Sequence, residues 1–234
     1  MTTTTFPRKD GPAGSTRVRH RVLIVDDHPI VRQGLRRLID QEEDLIVCGE
    51  AESTREAKGA IRELKPDVVI VDISLKQGDG IELVKDARAH YASLPILVLS
   101  MHDETIYAER ALRAGANGYI MKQEATEKVL VAVRQILNQK VYVSDRIANR
   151  MLQQYISGSA TQEHSPISEL SDRELEVFRL IGEGHSTRRI AEELHLSIKT
   201  VESYQAHIKN KLSLKNAREL VQRAIQWNID EGAA

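Results

Sequence analysis

The chain has 234 residues, 41% hydrophobic and 29% charged, with 33 Lys and Arg against 34 Asp and Glu for a formal net charge of -1. That length accommodates two modest domains, and the composition is that of a soluble, folded chain. No apolar run approaches the roughly 20 residues that span a bilayer, and no signal-peptide core is visible, so no membrane partner is expected and the cytoplasm is the expected location. Cys48 is the only cysteine, which excludes an intrachain disulfide framework and a cysteine-based zinc site. Within Leu45-Ile46-Val47-Cys48 it reads as a small buried hydrophobe.

Charge is unevenly spread. Residues 22–142 carry 16 Lys/Arg against 20 Asp/Glu, while the start of the chain holds Arg8, Lys9, Arg17, Arg19 and Arg21 against Asp10. The leader, 1–20, is rich in Thr, Gly and Pro and is expected to be disordered. Residues 22–25 predict a strand ending at Asp26-Asp27, and Pro29 suits the first turn of a following helix. Val31, Leu35, Leu38 and Ile39 give that helix one apolar face. A second strand is expected at 45–48. Ser53-Thr54-Arg55-Glu56 reads as a capping box opening a helix to about Leu64, which Lys65-Pro66-Asp67 ends. Val68-Val69-Ile70-Val71 has the β-branched run of a strand buried on both faces of a parallel sheet, and it leads into Asp72.

A loop with Gly78-Asp79-Gly80 precedes a helix through Ile81, Leu83, Val84 and Ala87. Residues 96–100 predict a strand ending in Ser100, residues 104–114 a helix, and residues 119–121 a strand followed by Lys122. Thr126 is read as opening a helix with Val129, Leu130, Val133, Ile136 and Leu137 on one face. Five strands alternating with five helices predict an α/β domain, residues 21–142, with a parallel sheet covered on both sides. Residues 143–165 read as a linker holding a short helix from 145 to 155, flexible beyond 157. The period then becomes purely helical over 166–234. Helices are expected after the capping box Ser171-Asp172-Arg173-Glu174, at 187–194, at 198–212 and at 216–227.

If Asp26, Asp27, Asp72, Ser100 and Lys122 gather at one sheet edge, the adjacent carboxylates need a hard cation, and Mg2+ suits a few carboxylates plus waters or substrate oxygens. Asp72 is then a candidate carboxylate nucleophile for a phosphoryl group. Lys122 supplies a point charge for one phosphoryl oxygen, and Ser100 a hydroxyl for another.

In these residues the chain from 22 to about 140 resembles the receiver domain of two-component response regulators. The resemblance implies a flavodoxin-like five-stranded sheet, with Asp72 as phosphoacceptor for a sensor histidine kinase. It also implies magnesium held by Asp26, Asp27, Asp72 and the Ser74 backbone carbonyl. Ser100 and Tyr119 take the switch positions, Tyr119 turning inward once Ser100 moves toward the phosphate. The loop Leu75-Lys76-Gln77-Gly78 departs from the Met-Pro often found there.

Residues 166–230 are similar to the LuxR/FixJ type of helix-turn-helix domain, through Leu170–Glu174, Gly184–Ile190 and Leu196–Glu202. With the receiver this resembles the NarL/FixJ architecture, a DNA-binding transcription regulator that dimerises when phosphorylated and whose resting receiver covers part of the DNA-binding domain. On a helix at about 100° per residue, Val201, Ile208 and Leu212 share a face. Lys199, Ser203, Ala206 and Asn210 point the opposite way with Glu202 beside them, suited to base edges. Thr200, Tyr204, His207 and Lys211 lie on the flank expected to meet phosphates. Residues 197–215 hold Lys199, Lys209, Lys211 and Lys215 against Glu202 alone. Tyr204 stands where the family often has His.

Two other readings compete. Haloacid-dehalogenase-type phosphohydrolases also pair an Asp nucleophile with magnesium, but place a second Asp two residues on, where this chain has Ser74. The other is a receiver switched by a protein partner without phosphate. No Gly-x-Gly-x-x-Gly or Walker A pattern occurs, so the chain is not expected to be an enzyme of the nucleotide-binding kinds.

Overall fold

Alternate residues of each strand part to opposite sides of one sheet. A computed structural model describes residues 19–75, 78–101, 104–156, 166–194 and 196–232. The strands are β1 (His20–Val25), β2 (Leu45–Ala51), β3 (Val68–Asp72), β4 (Ile96–Ser100) and β5 (Gly118–Met121), all parallel in the order β2-β1-β3-β4-β5. Leu23, Val25, Val69, Val71, Val98 and Tyr119 pack on one side. Val22, Ile24, Val68, Ile70, Leu97, Leu99 and Ile120 pack on the other. Burial on both faces is why β3 and β4 read as unbroken apolar runs.

The helices of this half are α1 (Pro29–Asp40), α2 (Thr54–Leu64), α3 (Gly80–His90), α4 (Glu104–Ala114) and α5 (Ala125–Leu137). α1 starts at a proline as expected. Ser53 caps α2 by accepting from Glu56 N, but the Glu56 carboxylate returns to the backbone N–H of Glu52 rather than of Ser53. Lys65 ends α2 in the left-handed region, φ 46°, which turns the chain into β3. Three boundaries differ from the sequence reading. β1 begins at His20, inside the expected leader, where the Asp67 carboxylate and the Asp44 carbonyl take the amides of Arg21 and His20. β2 continues through Gly49 and Glu50 to Ala51, because a register shift beside β1 keeps it paired past a glycine. A 3-10 turn at Lys122–Glu124 runs directly into Ala125, so α5 starts without a Thr126 cap.

The remaining helices are α6 (Asp145–Ile156), α7 (Asp172–Gly182), α8 (Thr187–Glu193), α9 (Ile198–Lys211) and α10 (Ala217–Gly232). Ser171 and Glu174 form a complete capping box on α7, and Ser186 and Ser197 cap α8 and α9. α10 runs five residues past the expected Trp227, with Asn228 tied to the Arg179 carbonyl at 2.9 Å. Most of the expected leader, residues 1–18, and the expected flexible linker, 157–165, lie outside the described residues. Tyr142 is pinned to the edge of β5: the Tyr119 N–H donates to the Tyr142 carbonyl and the Tyr142 N–H to the Asn117 carbonyl, both at 2.9 Å. That pairing covers part of an edge strand's open backbone. Among the described helices, none is long and apolar enough to cross a membrane.

The two halves touch. Arg110 of α4 donates from Nε to Asp172 Oδ1 at 2.9 Å and also reaches the Leu170 carbonyl. Arg173 donates to the carbonyl of Leu75, in the loop after β3, at 2.9 Å. Tyr107 of α4 is fully buried beneath this contact, and burial together with the nearby Glu176 and Asp172 carboxylates pushes its phenol well above its ordinary pKa.

Candidate functional site

β1 and β3 lie side by side while β2 turns off the other way, so their carboxyl ends flank the point where strand order reverses. Ligands of open α/β sheets bind at such a point. Asp26 and Asp27 leave β1 there, Asp72 ends β3, and the three are 1%, 7% and 2% exposed. Ser100, ending β4, is fully buried. Lys122, one residue past β5, places Nζ 2.7 Å from Asp26 Oδ2 and 2.7 Å from Asp72 Oδ2. The Ser74 backbone N–H donates to Asp72 Oδ1 at 3.2 Å. The expected acidic pair, nucleophile, hydroxyl and lysine therefore stand at one sheet edge.

Burial raises the pKa of Asp72, outweighing the pull of Lys122, and the neighbouring Asp26 charge acts in the same direction. Burial works against the Lys122 charge, but Asp72 and Asp26 outweigh it and hold the ammonium above the usual lysine value. Three buried carboxylates and one ammonium leave an excess of negative charge in a poorly solvated place. A hard divalent cation suits such a donor set.

Three residues around the pocket had no role at the site in the sequence reading. His28, the N-cap of α1, sets its ring Nδ1 3.1 Å from Asp26 Oδ1 and 2.8 Å from Asp27 Oδ1. Arg32 is buried, donating to the Asp26 carbonyl at 2.6 Å and reaching Glu50 and Glu52. Its signal in the sequence was a charge at helical spacing with the apolar Leu35 and Ile39. Gly80 opens α3 so close to Asp72 that a Cβ there would collide with the Asp72 carbonyl. The sequence shows that glycine but not its neighbour.

Tyr119, expected at the switch position, is 2% exposed on the face of the sheet packed by α4.

In the helical half, Val201 and Ile208 of α9 are buried, and Gln205 reaches Thr187 at 3.2 Å. Lys199, Glu202, Ser203, Ala206, His207 and Asn210 are exposed, while Thr200 and Tyr204 are half-buried. Thr200 meets the cap residue Ser197, hydroxyl to hydroxyl, at 2.7 Å. Lys211 is engaged elsewhere: its ammonium donates to Glu174 Oε2 at 2.7 Å and to the Glu169 carbonyl at 3.1 Å. The flank on which the helical spacing placed Lys211 thus faces Glu174 of α7. The receiver contact falls on the start of α7, and the outward residues of α9 stay exposed in the full chain.

A parallel sheet with this acidic edge, joined to a helix-turn-helix, defines a signal-receiving DNA-binding protein. Residues 22–134 match the response regulator receiver domain and residues 168–224 the bacterial regulatory proteins of the luxR family. The chain is 35% identical over 216 residues to the oxygen regulatory protein NreC of Staphylococcus epidermidis, covering 90% of this chain and 99% of that protein. Among solved structures it resembles the RcsB response regulator of Salmonella typhimurium, with 31% identity, TM-score 0.53, and coverage of 88% of this chain and 97% of that one. It also resembles RcsB of Salmonella enterica serovar Typhimurium bound to the promoter rprA with the phosphomimetic BeF3-, with 31% identity, TM-score 0.54, and coverage of 87% and 97%. The chain belongs to the response regulators with a LuxR-type DNA-binding domain, and is a two-component transcription regulator.

Proposed function

We propose that Asp72 is the phosphoacceptor, charged by a sensor histidine kinase in the cytoplasm, and that the phosphate controls how residues 166–234 engage promoter DNA. The carrying observation is the Lys122 ammonium, at equal distance from Asp26 and Asp72. Asp26, Asp27, Asp72 and the Ser74 carbonyl would hold magnesium, which neutralises charge on the transferred phosphoryl oxygens. An Asp72 carboxylate oxygen attacks phosphorus; the phosphorus–nitrogen bond to the kinase histidine breaks, and the leaving imidazole takes a proton. Lys122 follows the new negative charge from Asp26 toward the phosphoryl group, and Ser100 offers its hydroxyl to another oxygen.

On the DNA side, Lys199, Glu202, Ser203 and Ala206 face base edges, and Thr200, Tyr204 and His207 face the backbone. A phosphorylated homodimer would present two such helices to half-sites related by two-fold symmetry. Lys211 contributes to DNA contact only if it leaves Glu174. The test is phosphate-affinity electrophoresis after incubation with acetyl phosphate and magnesium. A retarded band is expected for wild type and none for Asp72→Ala; equal retardation of both would remove the assignment.

A further inference from the structure

The ligand set expected for the pocket consists of oxygen atoms. His28 stands at its lip with a nitrogen. Among the described residues, Asp26, Asp27, His28 and Asp72 each offer one ligand atom, all within 4.8 Å of one another. The ring Nδ1 lies 2.8 Å from Asp27 Oδ1 and 3.1 Å from Asp26 Oδ1. Two donors at right angles on a cation with bonds of about 2.1 Å are about 3.0 Å apart. The nitrogen thus stands from both oxygens as adjacent donors on an octahedral cation do.

The two sides of the pocket use different atoms. Lys122 meets Asp26 and Asp72 through their Oδ2 atoms, whereas His28 meets Asp26 and Asp27 through their Oδ1 atoms. A cation on the His28 side therefore meets carboxylate oxygens other than those held by the lysine ammonium. Nor does the ring serve α1, since the His28 side chain makes no capping hydrogen bond there. Its side chain is 49% exposed, open to an ion arriving from solvent.

We propose that His28 is a further ligand of this pocket, and that through it the pocket prefers a first-row transition cation such as Mn2+ to Mg2+. Imidazole suits borderline cations, while magnesium takes oxygen donors and keeps its waters. The carboxylates supply the charge that both ions need; the nitrogen supplies the difference between them. This inference rests on the acidic pocket being the cation site of the phosphorylation reading, with Asp72 still the nucleophile.

The test uses the full chain and manganese alone. Pulsed electron paramagnetic resonance of the Mn2+-loaded protein is expected to show coupling to a directly bound nitrogen, which changes on 15N-histidine labelling and disappears in His28→Ala. Calorimetry should give a Mn2+ over Mg2+ preference that falls by about tenfold or more in His28→Ala with Mg2+ affinity kept. Mn2+ bound and displaced by Mg2+ without nitrogen coupling would overturn the His28 role and leave the acidic pocket standing. Coupling that persists in His28→Ala would overturn it equally, since another histidine would be the ligand. Failure of both ions to bind would overturn this inference and the cation site together.

Discussion

Lys122 is the residue on which the pocket's electrostatics turn. Its ammonium touches two of three buried carboxylates, and removing one partner of a buried ion pair costs about 3–5 kcal/mol because the other charges stay behind. Lys122→Met is therefore expected to lower stability by about 3 kcal/mol in chelator, and magnesium should return part of it, because an ion that binds only the folded state stabilises it by mass action. Urea denaturation of wild type and variant, with EDTA and with magnesium, makes the comparison. Equal losses in both conditions would mean that the cation does not share the lysine's carboxylates. The variant should still accept phosphate from acetyl phosphate, since the nucleophile is Asp72.

At the scale of elements, two lysines of α9 should behave differently. Lys199 is exposed on the side assigned to base edges, and Lys199→Ala is expected to weaken DNA binding and relax the preference among sequences. Lys211 is paired to Glu174, whose carboxyl is buried yet held below its usual value by Lys211 and Ser171. Lys211→Met should cost about 1 kcal/mol in the 166–234 fragment, and Glu174→Gln should remove most of that difference in a double-mutant cycle. Binding to a set of DNA sequences and urea melts of the two lysine variants separate these roles. The start of α7 carries a pH dependence. Burial, with Asp79 beside it and Arg110 opposing, raises Asp172 to about 7 in the docked state. Exposed, the same carboxyl returns toward 3.8, so docking binds the extra proton. That contribution is fully present below about 4 and is lost as pH rises through about 7. Small-angle scattering of the full chain should show expansion from pH 5 to 7.5 and little change above. Asp172→Asn, which cannot ionise, should respond far less over the same range.

For the whole molecule, the route from phosphate to DNA changes with the position of the contact. The receiver does not lie over the outward face of α9; it grips α7 through Arg110 and through the Leu75 carbonyl, three residues from Asp72. Tyr119 is buried on the face of the sheet packed by α4. Phosphate on Asp72 would then act by shifting the loop that carries Leu75 and loosening α7, not by uncovering a masked helix. A ligand shifts such an equilibrium only through a difference in affinity for its two states. The expected outcome with a beryllofluoride mimic is a larger sedimenting species and tighter operator binding by the full chain. Arg173→Ala should approach that behaviour without the mimic. If the mimic changes neither mass nor affinity, and the 166–234 fragment binds no better than the resting chain, the two halves are not coupled in this way.

The five strands, their order of burial and the acids at their ends were legible in the sequence for one reason. A parallel sheet buried on both faces demands unbroken β-branched runs, so a carboxylate at the end of such a run stands out. The capping box on α7 and the buried stripe of Val201 and Ile208 were equally legible, because both are set by neighbours within one or two helical turns. Helical spacing gives a side chain its direction but not what another element brings to meet it. Lys211 and Glu174 are 37 residues apart, and Arg110 and Asp172 are 62. Only tertiary packing placed those partners together. It also closed the surface around Tyr119, and turned the loop after β1 so that a backbone bond from His28 to Asp26 holds the imidazole over the acidic pair.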